Sequence, residues 1–315
     1  SSSSAASDVY KRQGYDNTGV GYRAGLSTTT GARNTFIGRD AGYSNTTASY
    51  NVAMGTYTFD ANTTGANNTA VGDGAMTENT TGVQNTAVGS SAMNSCTTGS
   101  NNIAVGDGAL RLNTTGATNV AVGRQALDAN TTADRNVAVG HTVLNANTTG
   151  ASNAAVGMTA MLLNTTGSQN AAFGNSSLYN NTTASYNTAF GGSTLYANTT
   201  GATNTALGYY ALFSNTTAQQ NTAVGAYAGD ANTTGSSLVA VGYNALTAQT
   251  TGTTNTAVGY AAMAAATTAT NNVAVGSNAL DANTTASNNV AVGRNALTAN
   301  TTGGTNTGIG DRALE

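Results

Sequence analysis

The chain has 315 residues, of which only 7% are charged, and its formal net charge is −3. Ten basic residues spread over this length cannot neutralise a row of phosphates, which argues against a nucleic-acid-binding surface. Cys96 is the only cysteine, so an intrachain disulfide is excluded. No apolar run approaches the roughly 20 residues that a membrane-spanning helix requires. Low hydrophobicity often indicates disorder, but disorder normally comes with high net charge or proline, and the chain has no proline.

Residues 1–13 match nothing else in the chain, and we expect a disordered leader there. From residue 14 to residue 315 a unit of seventeen residues recurs without insertion or deletion. We number the unit from Asn17, so that position 1 falls on every multiple of seventeen up to Asn306, with Leu238 as the single exception to asparagine. A strict period of this length indicates a solenoid. The array stops at residue 315 without a polar capping unit, so we expect either a piece of a longer protein or ends covered by another molecule.

Within the unit, positions 1–4 form a short β-branched run that glycine closes at position 5, as in Asn119-Val120-Ala121-Val122-Gly123. A second apolar pair follows at positions 8 and 9, and Asn-Thr-Thr then gives a turn signal at positions 12–14. Two turn signals in seventeen residues leave no room for a helix of ordinary length. The sequence therefore predicts an all-β fold, a parallel β-solenoid or β-roll of about eighteen coils with two short strands in each.

The alternation of the first strand predicts which residues form the core. We expect Val139 and Leu144 to lie inside their coil. The alanine at position 3 alternates with the valine column, so we expect it to face outward. Small residues on an outer face would allow a second chain to pack closely, and this predicts a homo-oligomer.

The first asparagine column has two interpretations, a ligand-binding row or a structural ladder in which each amide bonds the residues above and below it. Since only one coil departs from asparagine, we favour the ladder, together with a glycine column in which the backbone requires positive φ or close approach. The ladder residues that define this prediction are Asn68, Asn85, Asn102, Asn119, Asn136, Gly72, Gly89 and Gly106.

The second asparagine column, at position 12, carries N-glycosylation sequons because Thr-Thr follows it. A turn-forming role and glycosylation are both open from the sequence. The candidate glycosylation sites are Asn45, Asn62, Asn79, Asn113, Asn130, Asn147, Asn164, Asn181, Asn198, Asn215, Asn232, Asn283 and Asn300.

Other side chains offer weaker signals. The threonine pairs suggest an ice-binding face, but adjacent threonines on an extended strand would point in opposite directions. Tyrosines collect at variable positions next to the turns, and exposed rings can stack on sugars; these are Tyr57, Tyr209, Tyr210, Tyr227, Tyr243 and Tyr260. His141 is the only histidine, and no acidic column recurs in every coil. We therefore predict no catalytic residue, no metal site and no cofactor.

Two families resemble this pattern. Residues 34–42 (NTFIGRDAG), with Asn45-Thr46-Thr47 behind them, resemble the repeats of bacterial and phage tail-fibre-domain proteins. The Asn-x-Ala-Val-Gly core is similar to the head repeats of trimeric autotransporter adhesins, whose unit is shorter than seventeen residues. The resemblance covers residues 14–315 and implies a left-handed β-roll that associates as a trimer.

Together these observations predict an extracellular structural or adhesive fibre, on a cell surface, in a filament or on a virion. Its expected partners are further copies of itself, as a homotrimer or an end-to-end filament, and a glycan or cell-surface receptor. The alternative is a monomeric β-solenoid that binds carbohydrate or ice.

Overall fold

A computed structural model describes residues 14–315, so the leader predicted over residues 1–13 lies outside the described residues. The chain divides into two compact units, the first ending at Asn136 and the second running from Val137 to Glu315. The unbroken sequence repeat does not mark this division.

Each coil contributes one strand of three residues, which occupies positions 2–4 of the unit, and no helix occurs among residues 14–315. The first unit contains β1 to β7 and the second contains β8 to β18. In chain order the strands are Thr18–Val20, Thr35–Ile37, Val52–Met54, Thr69–Val71, Thr86–Val88, Ile103–Val105, Val120–Val122, Val137–Val139, Ala154–Val156, Ala171–Phe173, Thr188–Phe190, Thr205–Leu207, Thr222–Val224, Val239–Val241, Thr256–Val258, Val273–Val275, Val290–Val292 and Thr307–Ile309.

Within each unit every strand pairs in parallel with the next strand along the chain, and equivalent positions face each other. Ala70 of β4 lies opposite Ala87 of β5, and Ala240 of β14 lies opposite Ala257 of β15. The ladder bonds are regular: Thr69 N donates to Asn85 O at 2.9 Å. This register stacks identical positions into columns and confirms the predicted all-β parallel β-solenoid.

The predicted second strand of each coil is wrong. Positions 6–11 form a series of turns, and positions 7 and 9 lie in the left-handed region, as Gln125 and Leu127 do with φ 54° each. A strand requires negative φ, so these residues cannot extend. Hydrogen bonds between coils nevertheless continue through this segment, since Leu110 N donates to Ala126 O at 3.0 Å.

The core lies between the strand and this turn segment, and it reverses the predicted orientation of the strand. The position-3 alanines, such as Ala121, are fully buried, together with the position-8 alanine and the position-9 leucine or methionine. Leu144 is buried as predicted. Val139 is only half-buried and, like the rest of position 4, lies on the opposite face of its strand from the buried alanine.

The physical reason for the reversal is the space between positions 3 and 9. Coil 2 carries Phe36 at position 3, where most coils have alanine, and Gly42 at position 9. A Cβ added to Gly42 would lie 2.5 Å from the Phe36 ring, so the two positions face each other across the core. A leucine at position 9 therefore leaves room for no more than a methyl group at position 3.

Candidate functional surface

The position-1 asparagines form a buried hydrogen-bond ladder. Asn204 Nδ2 donates to Ala218 O at 2.9 Å, and Asn204 Oδ1 accepts from the backbone N–H of Asn221 in the next coil at 3.0 Å. The backbone N–H of Asn204 in turn donates to Asn187 Oδ1 at 2.9 Å. The side chain is fully buried, so both of its polar ends are committed to the fold and cannot serve a ligand.

The glycine column at position 5 is required by both conformation and space. Gly106 has φ +136°, and a Cβ added there would lie 2.6 Å from the backbone of Gly123 in the next coil. Only glycine adopts this backbone conformation readily. Like the first asparagine column, this column holds the coils together.

The position-12 asparagines form a second buried ladder. Asn181 Nδ2 donates to Asn164 Oδ1 at 2.8 Å and to Ala184 O at 3.0 Å, and its side chain is fully buried. Where the column changes, the ladder weakens. Cys96 accepts a longer contact from Asn113 Nδ2 at 3.8 Å.

This burial argues against N-glycosylation at the candidate sites. The twelve asparagines from Asn45 to Asn283 are 0% exposed. A glycan on Nδ2 would have to occupy the interior of the coil, where the amide instead bonds a carbonyl of its own turn. Asn300 is half-buried, and its Nδ2 donates to Gly303 O at 2.9 Å.

The two threonines that follow each of these asparagines differ in exposure. The hydroxyl at position 13 bonds the next coil, as Thr114 Oγ1 donates to Thr131 O at 3.0 Å. The threonine at position 14 is exposed in every coil from Thr30 to Thr302. The turn thus presents one exposed row of threonine, and not the two opposite rows expected from the sequence.

The outward face of the sheet is formed by positions 2 and 4. Position 2 is threonine in nine of eighteen coils, which suits an exposed site on a strand. Position 4 is a large apolar residue in all eighteen coils, and none of these residues is buried. Phe190 and Leu207, in adjacent coils, are 41% and 49% exposed. We call this column the outer apolar stripe.

The tyrosines separate into two groups. In the first unit they pair with arginines: the Arg39 guanidinium lies 5.3 Å from the Tyr57 ring centroid, and Arg33 lies 5.4 Å from that of Tyr50. In the second unit every tyrosine except Tyr186 contacts another aromatic ring; for example, the Tyr243 and Tyr260 centroids are 5.8 Å apart. The structure therefore brings together five of the six tyrosines singled out from the sequence and separates Tyr57 from them.

Charged residues mostly pair along columns. Arg23 Nε donates to Asp40 Oδ1 at 2.6 Å, and this hydrogen bond lowers the pKa of the buried Asp40 carboxyl below its usual value. Arg111 makes two such bonds with Asp128, at 2.8 and 3.0 Å. His141 is exposed. Among residues 14–315 no group of three histidine, cysteine or acidic side chains is arranged to hold a metal ion, and no helix is long and apolar enough to cross a membrane.

Comparison of the chain with protein-family models and with curated proteins gave no match. The fold defines the class of protein, a β-solenoid built from a seventeen-residue repeat. The resemblance to tail-fibre and adhesin repeats remains a prediction based on the motif.

Proposed function

We propose that this β-solenoid self-associates and works outside the cell as a structural or adhesive fibre without catalytic activity. The observation that supports the proposal is the outer apolar stripe. Its residues lie on the same outward face as position 2, yet they are apolar in every coil whereas position 2 admits threonine. A contiguous apolar column of this kind marks a surface that another molecule covers.

A second copy of the chain fits this surface best. Within each unit the stripe repeats with the coils, so an identical stripe on a neighbouring chain matches it coil by coil. Charge repulsion between the copies is small, because residues 142–280 contain a single charged side chain, Asp230. The stripe replaces the position-3 alanines, which lie inside the coil, as the basis for self-association.

Side-by-side packing through the stripe favours the homotrimer, which is also what the resemblance to adhesin heads implies, and an end-to-end filament is the other arrangement. The extracellular location rests on the same resemblance.

The test is the mass of the native particle, measured by size-exclusion chromatography with light scattering. We expect a particle of three chains of 31.1 kDa each, or a polymer if the chain forms filaments. The variant Val224→Lys/Val258→Lys places two charges in the stripe and should yield a monomer. The matched variant Thr234→Lys/Thr268→Lys adds the same charges at exposed position-14 sites of the same two coils and should keep the wild-type mass.

A monomeric wild-type protein would contradict this proposal and favour the monomeric module that binds carbohydrate or ice. The exposed position-14 threonine row is the observation that supports ice binding. Its test is thermal hysteresis of the purified protein, which should be abolished when successive position-14 threonines are replaced by lysine.

A further inference from the structure

A continuous chain of aromatic rings crosses six successive coils of the second unit. It begins with Tyr179 and Tyr196, whose centroids are 5.1 Å apart, and Tyr196 stacks on Phe213 at 5.2 Å. The more exposed part of the chain lies in the four coils from Asn204 to Asn271. We call it the aromatic ribbon, and its members are Phe213, Tyr210, Tyr209, Tyr227, Tyr243 and Tyr260. Ring centroids along it are separated by 4.5, 4.3, 5.8, 6.0 and 5.8 Å in that order. Aromatic pairs at these separations attract each other, so the rings hold one another in place.

The ribbon presents ring surface to solvent. Tyr209, Tyr243 and Tyr260 are 51%, 47% and 58% exposed. The Tyr243 and Tyr260 rings are nearly parallel, at 12°, and their centroids are 5.8 Å apart, so the two rings are not in full face-to-face contact. Tyr227 stands edge-on to Tyr209 and to Tyr243, at 88° and 84°, and it fixes the orientation of both.

The surroundings of the ribbon are almost free of charge. Between residues 142 and 280 Asp230 is the only charged side chain, and half-buried Asn244 follows Tyr243 directly. This neutrality disfavours nucleic acids, sulfated or uronic polysaccharides and anionic lipids, all of which need cationic partners. The tyrosines of the first unit differ in this respect, because their own arginines lie against them.

We propose that the aromatic ribbon is a binding site for a neutral, extended polysaccharide whose sugar rings stack on the tyrosines. A pyranose with equatorial hydroxyl groups has two apolar C–H faces and a polar rim, which matches an aromatic face bordered by phenol and amide groups. Tyrosine rings in four successive coils suit a polymer that presents one sugar after another. Because the rings are held by mutual contacts, little side-chain freedom is lost on binding.

This inference specifies the adhesive part of the proposed function, and it does not depend on self-association. The direct test is isothermal titration of the intact chain with cellohexaose and chitohexaose, two neutral β-linked hexasaccharides, and with a heparin hexasaccharide as the anionic comparison. We expect at least one neutral hexasaccharide to bind and heparin not to bind.

The variants identify the surface. Tyr209→Ala/Tyr243→Ala/Tyr260→Ala should weaken binding at least ~10-fold, since loss of about 1.4 kcal/mol already changes an affinity tenfold. Tyr186→Ala removes a tyrosine that is 60% exposed in the same unit but outside the ribbon, and it should bind as the wild type does. Far-UV circular dichroism of each variant checks that the fold is retained.

Lack of binding to both neutral hexasaccharides, equal binding of heparin, or undiminished binding by the triple variant would overturn the proposal. The native mass is measured on the same samples. If the wild type binds no sugar and the triple variant has a lower native mass than the wild type, the ribbon is instead a contact surface between copies of the chain. A monomer that binds the sugar would refute self-association and leave the ribbon site standing.

Discussion

Replacing Asn204 by alanine tests the claim that the first asparagine column is structural. The substitution removes the bond from Asn204 Nδ2 to Ala218 O and the bond that Asn204 Oδ1 accepts from Asn221 N. It also removes a weaker bond from Asn204 Nδ2 to Asn187 Oδ1 at 3.2 Å, but Asn187 Oδ1 still accepts from the Asn204 N–H. Ala218 O and the Asn221 N–H are affected differently. Ala218 O keeps a second donor, Asn215 Nδ2, at 3.2 Å. The N–H of Asn221 has no other partner among residues 14–315 and becomes a buried unsatisfied donor.

The expected loss of stability depends on whether each former partner of Asn204 keeps another hydrogen bond. A buried donor left without a partner costs about 1–3 kcal/mol, and a lost hydrogen bond whose acceptor stays satisfied costs about 0.5–1.5 kcal/mol. We therefore expect Asn204→Ala to lower the free energy of unfolding by roughly 2–4 kcal/mol. In a solenoid each coil is stabilised by its neighbours, so the loss should be concentrated near this coil.

Two measurements check this expectation, urea unfolding followed by circular dichroism and amide hydrogen exchange at Asn221. Gln219→Ala is the matched control, because Gln219 is exposed in the same coil, and its effect should stay within about 0.5 kcal/mol. If Asn204→Ala were no more destabilising than this control, and the Asn221 amide exchanged no faster, the ladder would not stabilise the fold as we argue.

Three further predictions use natural variation among the coils. Gly106→Ala should destabilise by about 3 kcal/mol or more, because φ there is +136° and the new Cβ meets backbone at 2.6 Å. Gly108→Ala should cost only about 1 kcal/mol by the urea midpoint, because its φ of +64° lies in the left-handed region but its nearest neighbour would be 3.5 Å away. Among residues 14–315 the Asn255 N–H has no hydrogen-bond acceptor, and Leu238→Asn would supply one, the side-chain oxygen of the new asparagine. This substitution should raise the free energy of unfolding by about 1 kcal/mol. A lower melting temperature would contradict this expectation. Burial raises the pKa of the Cys96 thiol to about 11 from the ordinary 9.0, so the protonated thiol contributes stability that is complete below pH 9.0 and is lost as the pH rises towards 11. Cys96→Asn should remove this part of the decline, which thermal melts of both proteins from pH 8 to pH 10.5 would reveal.

The repeat by itself determines most of the architecture. An unbroken seventeen-residue period requires identical units in identical surroundings. Glycine at position 5 of every coil indicates a position where the backbone leaves no room for a side chain. The solenoid, its parallel register and the positions of its columns follow from these two features.

The two faces of the coil were decided by packing. Alternation along a strand shows that positions 3 and 4 point in opposite directions, but it does not show which direction is inward. The deciding fact is the distance across the core, where the position-9 leucine leaves room for alanine alone. The exchange of Phe36 and Gly42 in coil 2 was the one sequence signal of that geometry.

Burial of the sequon asparagines and assembly of the aromatic ribbon also depended on the tertiary structure. A sequon motif carries no information on whether its amide reaches solvent. The ribbon draws tyrosines from positions 6 and 7 and phenylalanine from position 10, which no column places together. The sequence by itself determined the repeating coil and its columns, because the period is local; which columns face the core, the solvent or one another was decided only by how the folded coil closes on itself.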